Sequence, residues 1–333
     1  MPVTQLIGVS ITVADLAGTA AFYRDALGLE VGPEQTLIDP AWNSVLGLAQ
    51  DTVARAADVA IGEQVIKLVA FDPPGRPYPS KRTSNDQWFQ HLALVSGDIA
   101  RIWKKLEGGS PGEITKGPPV HLPASTGGVT AFKFRDPEGH PLELIFFPPG
   151  VGDPQWQREV GSRLAGYDHT AISVTDVNRS IAFYTQLLGF KVSARSLNKG
   201  VEQDRLDGLT GCQVDVVALA PASEITPHVE LLHYRSPPGR TLTEIRANDV
   251  ASARQILHVN DLDPLVGRLE AEGVSFVSQG LVTLKDGGKA TAIRDPDRHM
   301  IVLMEPGPGP APEVRRRSAA RVQAAPGYTQ RDR

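Results

Sequence analysis

Cysteine is almost absent from this chain: Cys212 stands alone among 333 residues. An internal disulfide is thereby excluded, and a reducing compartment suits the protein. No window approaches the roughly 18 consecutive apolar residues that a membrane span needs. The opening segment MPVTQLIGVSITVADL has no basic stretch followed by an apolar run, so a secretory signal is not expected. Charge of one sign is not in excess either, since 34 Lys and Arg face 38 Asp and Glu, a formal net charge of -4. That balance gives no electrostatic footprint for nucleic acid or an anionic membrane. The expectation is a cytoplasmic protein with a small molecule as its partner and a homodimer left open. Apolar residues make up 41%, the globular norm, and the length suffices for two domains with sizeable cores.

What the sequence does contain is repetition. DLAGTAAFYRDALGL, from Asp15, answers DVNRSIAFYTQLLGF, from Asp176. Each reads as a helix capped by Asp and stopped by Gly, after a short β-type run. Downstream, PPGR recurs at Pro73–Arg76 and Pro237–Arg240, and Ser84–Asp86 (SND) matches Ala247–Asp249 (AND). FRDPEGHPLELIFF, from Phe134, finally answers IRDPDRHMIVLMEP, from Ile293. Residues 1–147 and 167–306 are therefore two copies of one unit, joined by a Pro- and Gly-rich linker over 148–166. Each copy is itself double: His91 lies seven residues before the helix-opening Asp98, as His169 lies seven before Asp176. Four modules result, near 5–71, 90–147, 167–234 and 253–305, and the Pro/Ala/Arg-rich segment 307–333 reads as an extended or disordered tail.

Paired modules with D-x6-FY-x3-LG helices and a D-P-x-G-H-P-x-E-L ending resemble the glyoxalase/bleomycin resistance protein/extradiol dioxygenase (vicinal oxygen chelate) superfamily. The resemblance covers nearly the whole chain outside linker and tail. It implies an α+β fold: four βαβββ modules forming two eight-stranded half-barrel cups with outer helices. It also implies one metal-ligand position in the first strand of a module and one in the last. Here the first-strand positions are Gly8, His91, His169 and Arg254, and the last-strand positions are Lys67, Glu143, Glu230 and Val302. Only modules two and three carry ligand chemistry, so module two is expected to share a cup with module three, and module one with module four. His91, Glu143, His169 and Glu230 would then hold one divalent ion (Ni, Co, Zn, Mn or Fe(II)) at the bottom of an open cup. The other cup, with Gly8, Lys67, Arg254 and Val302, is expected to hold no metal, its two cations either paired to nearby acids or forming an anion site.

The residues themselves support the same set. His91 in FQHLALV, Glu143 in PLELIFF, His169 in DHTAISV and Glu230 in HVELL are single ionisable groups in apolar strands. A buried carboxylate must be paired, protonated or bound to a cation. Taken singly, a strand His is more often a satisfied core residue and a strand Glu more often solvated; their agreement at four equivalent positions favours a shared site. His228 and Tyr234 share the Glu230 face by the period of two and are candidates to line a substrate pocket. His140 and His299, in the same turn of both copies, read as structural. His121 reads as a loop residue, His258 is rejected as a ligand on spacing, Trp88 and Phe89 read as core or pocket wall, and Cys212 as an inert buried thiol.

The resemblance leaves three functions open. The first is a metal-dependent, glyoxalase I-like isomerase, epimerase or lyase on a substrate chelated through adjacent oxygens, with Glu143 or Glu230 as base. The second is an Fe(II) ring-cleaving dioxygenase with one Glu not ligating. The third is a metal-free binder of small molecules, of the drug-resistance type.

Overall fold

The computed structural model describes residues 3–108, 112–158, 163–222, 226–241 and 244–308. Of the expected tail, all but residues 307–308 lie outside the described residues. Module one contains β1 (Val3–Thr12), α1 (Leu16–Asp25), β2 (Glu30–Val31), β3 (Gln35–Leu37), α2 (Pro40–Val45), β4 (Val53–Ile61) and β5 (Gln64–Asp72). Module two contains β6 (Gln90–Ser96), α3 (Ile99–Gly108), β7 (Gly112–Glu113), β8 (Val120–His121), β9 (Thr130–Arg135) and β10 (Pro141–Phe146). Module three contains β11 (Leu164–Ser173), α4 (Val177–Ala182) running into a π-helical turn (Phe183–Leu187), β12 (Lys191–Lys199), α5 (Val201–Asp207), β13 (Gln213–Ala220) and β14 (His228–Ser236). Module four contains β15 (Ala253–Val259), α6 (Leu262–Ala271), β16 (Val282–Thr283), β17 (Lys289–Arg294) and β18 (Met300–Glu305).

Local chemistry sets the helix starts. Asp15 accepts a hydrogen bond from the Gly18 amide at 2.9 Å, and Asp176 accepts from Asn178 and Arg179, so both helices have the side-chain caps their sequences announce. Gly28 closes the α1 turn in the left-handed region, at φ 72°.

The strands form two sheets. One has the order β16-β17-β18-β15-β1-β5-β4-β2, with β3 also on β4; the other has β12-β13-β14-β11-β6-β10-β9-β7, with β8 also on β9. Each sheet therefore joins one module from each sequence copy: four with one, and three with two. Each path has the expected eight strands, and a ninth, short strand shares its edge: β3 on β4 and β8 on β9. One of these is β8, so His121 is an exposed strand residue, not a loop residue; its Nδ1 lies 3.3 Å from Thr130 Oγ1.

Side-chain alternation explains why the copies interlock. In β1, Val9 and Ile11 point to a core shared with α1, β6 and β9; in β9, Phe132 and Phe134 point the same way. That core lies almost wholly within the first copy, and an equivalent core lies mostly within the second. The opposite strand faces line the cups, which therefore run across the copies. The antiparallel seams β1–β15 and β6–β11 close them, with His91 opposite Ala171 and His169 opposite Ala93.

The repeated motifs act as clasps. Arg240 of the second PPGR holds buried Asp86 through Nε at 2.8 Å and a second nitrogen at 2.6 Å; Arg76 of the first holds Asp249 in the same way, at 3.1 and 2.6 Å. Glycine is required in both loops: a Cβ on Gly75 would lie 2.4 Å from Asn248 O, and one on Gly239 would lie 1.6 Å from Asn85 O. The turn histidines tie one sheet to the other. His140 Nε2 lies 3.0 Å from Thr12 O and 2.8 Å from Val250 O, and His299 Nε2 lies 2.9 Å from Ser173 O.

Candidate metal centre

Four strands of the β6–β11 cup bring four side chains together: β6 supplies His91, β10 Glu143, β11 His169 and β14 Glu230. His91 Nε2 stands 2.8 Å from Glu143 Oε2, and His169 Nε2 stands 3.8 Å from that oxygen and 3.4 Å from Glu230 Oε2. The two imidazole rings are 5.6 Å apart, centre to centre. One ligand atom each from His91, Glu143 and His169 falls within 4.8 Å of the others.

The residues fit a divalent ion. Both ring nitrogens of His91 and Nε2 of His169 are buried without a well-formed hydrogen bond. Buried nitrogens so poorly hydrogen-bonded are costly, and the Nε2 atoms of both rings approach the same Glu143 oxygen, where a shared cation would satisfy all three groups. The charge balance says the same. Among the described residues, Glu143, Glu230 and Asp168 have only imidazoles as ion-pair partners. Burial lowers the His91 imidazole. Burial also opposes charge on His169, but the Glu230 charge and the Asp168 hydrogen bond outweigh it and push that ring well above its usual range. Burial raises Glu143, yet the Lys133 charge and the two histidines hold it well below an ordinary carboxyl; Glu230 is held at about 2 against burial by His169 and His228. The cluster thus draws positive charge to its centre, and two imidazoles with two carboxylates suit borderline divalent metals.

A bulge in β11 supplies a residue that sequence periodicity misses. Tyr167 pairs with Leu94 but His169 with Ala93, so the chain gains one residue there. The gained residue, Asp168, is buried, and its Oδ2 lies 3.1 Å from His169 Nδ1. The linker's Trp156 donates its indole N–H to Asp168 Oδ1 at 2.6 Å. A carboxylate on the far nitrogen fixes the ring and its tautomer, leaving Nε2 for the centre.

Sequence reading also missed Lys133 and Asp207. Lys133 faces Glu143 across β9–β10 and meets Asp207 of α5 at 2.8 Å. Asp207 also accepts from Gln203 Nε2 at 2.7 Å and from Tyr234 OH at 3.1 Å. These contacts carry α5 across the cup. The candidate ligands lie deep in the cup: His91 is 1% exposed, and the Glu230 side chain, at 20%, is the most exposed of the four. His228 lies beside Glu230, with Nε2 3.6 Å from Oε1, whereas the Tyr234 hydroxyl is engaged by Asp207. Phe89 packs edge-on to His91, and Cys212 is a buried free thiol pushed up to about 12 by burial.

In the other cup Lys67 pairs with Asp58, but Arg254 finds no acid among the described residues, contrary to one of the two expectations for it. It is buried and donates to Ala247 O, Ser10 Oγ and Thr12 Oγ1 at 2.6, 3.0 and 2.9 Å. Burial brings this guanidinium down to about 9.

The family model described as Glyoxalase/Bleomycin resistance protein/Dioxygenase superfamily matches residues 5–144 and 166–303. The chain belongs to this superfamily. Among solved structures it is similar to glyoxalase I from Zea mays, with 17% identity over 91% of this chain and 93% of that one and a TM-score of 0.58. A point mutant of the same maize protein gives 18% identity, 91% and 93% coverage and a TM-score of 0.61. A candidate dioxygenase from Bacillus subtilis gives 15% identity, 92% and 86% coverage and a TM-score of 0.55. These likenesses show the superfamily fold. A search of curated proteins finds no match. No described helix is long and apolar enough to cross a membrane.

Proposed function

We propose that the protein is a metal-dependent isomerase, epimerase or lyase of the glyoxalase I type, acting on a small substrate through two adjacent oxygens. The convergence of the Nε2 atoms of His91 and His169 on the carboxylates of Glu143 and Glu230 carries this reading. His91, Glu143, His169 and Glu230 would hold one divalent ion. Such an ion, when bound, polarises a carbonyl and lowers the pKa of the neighbouring C–H.

The protein's own groups divide the remaining work. Glu143 is pinned between His91, His169 and the field of Lys133, which suits a fixed ligand. Glu230 is more exposed and has only the longer imidazole contacts of 3.4 and 3.6 Å, so it is the carboxylate free to turn. We assign the base to Glu230. It takes the proton from the hydroxyl-bearing carbon beside the carbonyl, the C–H electron pair shifts toward the carbonyl oxygen, and the same carboxyl returns the proton to the former carbonyl carbon while the hydroxyl proton passes to the former carbonyl oxygen, which completes a hydroxy-carbonyl isomerisation. His228, with Nε2 3.6 Å from Glu230 Oε1, orients that carboxylate.

Elemental analysis of the purified protein, followed by deuterium exchange at a C–H beside a carbonyl in candidate substrates, tests the reading. A stoichiometric transition metal with Glu230-dependent exchange supports it; a protein that takes up no metal overturns it in favour of a binder. The tight trio His91, Glu143 and His169 favours a second reading, a ring-cleaving Fe(II) dioxygenase with Glu230 outside the coordination shell. Dioxygen uptake with a catechol, without proton exchange, would select that one.

A further inference from the structure

Lys133 is a buried ammonium that belongs neither to the candidate ligand set nor to the base. It lies on β9 directly opposite Glu143, on the cup face, and only Ala131 and Arg135 share that face of the strand. Nothing equivalent exists elsewhere in the repeats. The residue opposite Val302, at the matching place in module four, is Ala292; the one opposite Glu230 in module three is Ala218; the one opposite Lys67 in module one is Asp58. A buried lysine at one of four equivalent positions, in the cup that gathers the carboxylates, is not a requirement of the fold.

Its bonding leaves capacity for a ligand. An ammonium has three donors, and Lys133 gives one to Asp207 Oδ1 at 2.8 Å. Asp207 is itself shared among Lys133, Gln203 and Tyr234, so its charge is spread over three donors. The ammonium also lies within electrostatic reach of Glu143 and Glu230. Once those two carboxylates are committed to a divalent ion, Lys133 is the cation beside the centre with donors to offer.

We infer that Lys133 is the specificity-determining residue of this site and selects an anionic substrate, a 2-oxo or 2-hydroxy carboxylate. This rests on the proposed metal centre. Such a molecule chelates through one carboxylate oxygen and the neighbouring carbonyl or hydroxyl oxygen. The second carboxylate oxygen is then left over beside the centre, and a charge-assisted hydrogen bond from Lys133 meets it.

The test is binding by calorimetry to the full chain loaded with Co(II), using pyruvate as the anionic probe and hydroxyacetone as its neutral counterpart. Lys133→Met removes the ammonium at similar length, and Lys133→Met combined with Asp207→Asn avoids leaving an unpaired buried carboxylate. Lys133→Arg keeps the charge if neither neutral variant folds. Pyruvate is expected to bind about tenfold or more weakly to the neutral variants, the size of one charge-assisted hydrogen bond, with hydroxyacetone unchanged and Lys133→Arg close to wild type. A folded double variant with the wild-type ratio of pyruvate to hydroxyacetone affinity overturns the inference. So does a wild-type protein that binds hydroxyacetone as tightly as pyruvate. Failure to take up Co(II) would instead sink the metal reading; pyruvate binding to the metal-free chain that disappears with Lys133→Met would still uphold Lys133, and its absence from wild type would overturn it.

Discussion

At the scale of single residues, the proposed centre would depend on neighbours that hold its candidate ligands still. Asp168→Asn removes a charge that orients His169 and leaves the shape almost unchanged. Loss of such a supporting carboxylate typically costs ten- to a hundredfold in metal affinity, and competition with a chelator should show about that loss. An unchanged affinity would mean that Asp168 serves Trp156 alone. The ligands themselves should separate by role. His91→Ala and His169→Ala are expected to lose metal and turnover together, whereas Glu230→Gln, keeping an oxygen but no base, should retain most of its metal and lose turnover by at least about a hundredfold, the usual contribution of a positioned base. Metal content and rate measured on the same preparations decide it. His140 belongs to structure instead. Burial opposes its charge, but Asp136 and the Val250 carbonyl outweigh that and raise its pKa. Its stabilising contribution is therefore full below the unfolded value of about 6.5 and is lost as pH rises through the higher folded value. The stability gap between wild type and His140→Ala, about 3–5 kcal/mol when a buried pair is broken, should narrow as urea midpoints are taken from pH 6 upward. A constant gap would show that His140 does not carry its proton in the fold.

At the scale of elements, the paired clasps allow the two cups to be perturbed one at a time. Gly239 lies against Asn85 in the cup that holds the candidate centre, and Gly75 against Asn248 in the other. Gly239→Ala and Gly75→Ala should each destabilise by about 1–3 kcal/mol through overpacking. Only Gly239→Ala should weaken metal binding, because its clasp closes modules two and three. Equal effects on metal affinity would mean that the cups are coupled more tightly than their separate clasps suggest. These elements also mark what could be read from the sequence. The Asp-capped helices, the repeated PPGR and the DP turns were legible because each is a local signal, and the meeting of His91, Glu143, His169 and Glu230 because repeats align their positions. Asp168 was not, because a one-residue bulge breaks the period of two on which face assignments rest. Lys133 and Asp207 were not, because they lie 74 residues apart in different modules and meet only when α5 crosses the cup. The reach of α5 to the opposite side of the sheet has no counterpart in local propensity.

At the scale of the whole molecule, duplication has produced two cups with one architecture and opposite chemistry. One gathers His91, His169, Glu143 and Glu230. The other places Gly8, Lys67, Arg254 and Val302 at the same positions and packs Val45, Ala290 and Ala292 around Val302. Arg254 sits on β15 where His91 sits on β6, and its guanidinium is already satisfied by Ala247, Ser10 and Thr12. A divalent ion there would face a fixed buried cation and no carboxylate pair, so repulsion is not offset. The chain should accordingly bind one metal equivalent, not two, when titrated with Co(II) or Zn(II) and counted by elemental analysis after dialysis. His91→Ala should abolish that equivalent, and Arg254→Met should leave it at one, since removing the cation supplies no ligand. Because the ligands of the single centre come from both sequence copies, the bound ion should also stabilise the molecule as a unit. At a free metal concentration a hundred times the dissociation constant, linkage adds about 2.7 kcal/mol to unfolding. That gain should appear as one cooperative shift reported equally by Trp42 and Trp103 in the first copy and by far-ultraviolet signal from the whole chain. A second equivalent that survives both His91→Ala and Asp263→Asn, the latter at the exposed Asp261, Asp263 and Glu305 cluster, would place a metal in the other cup and refute the assignment of chemistry to one cup alone.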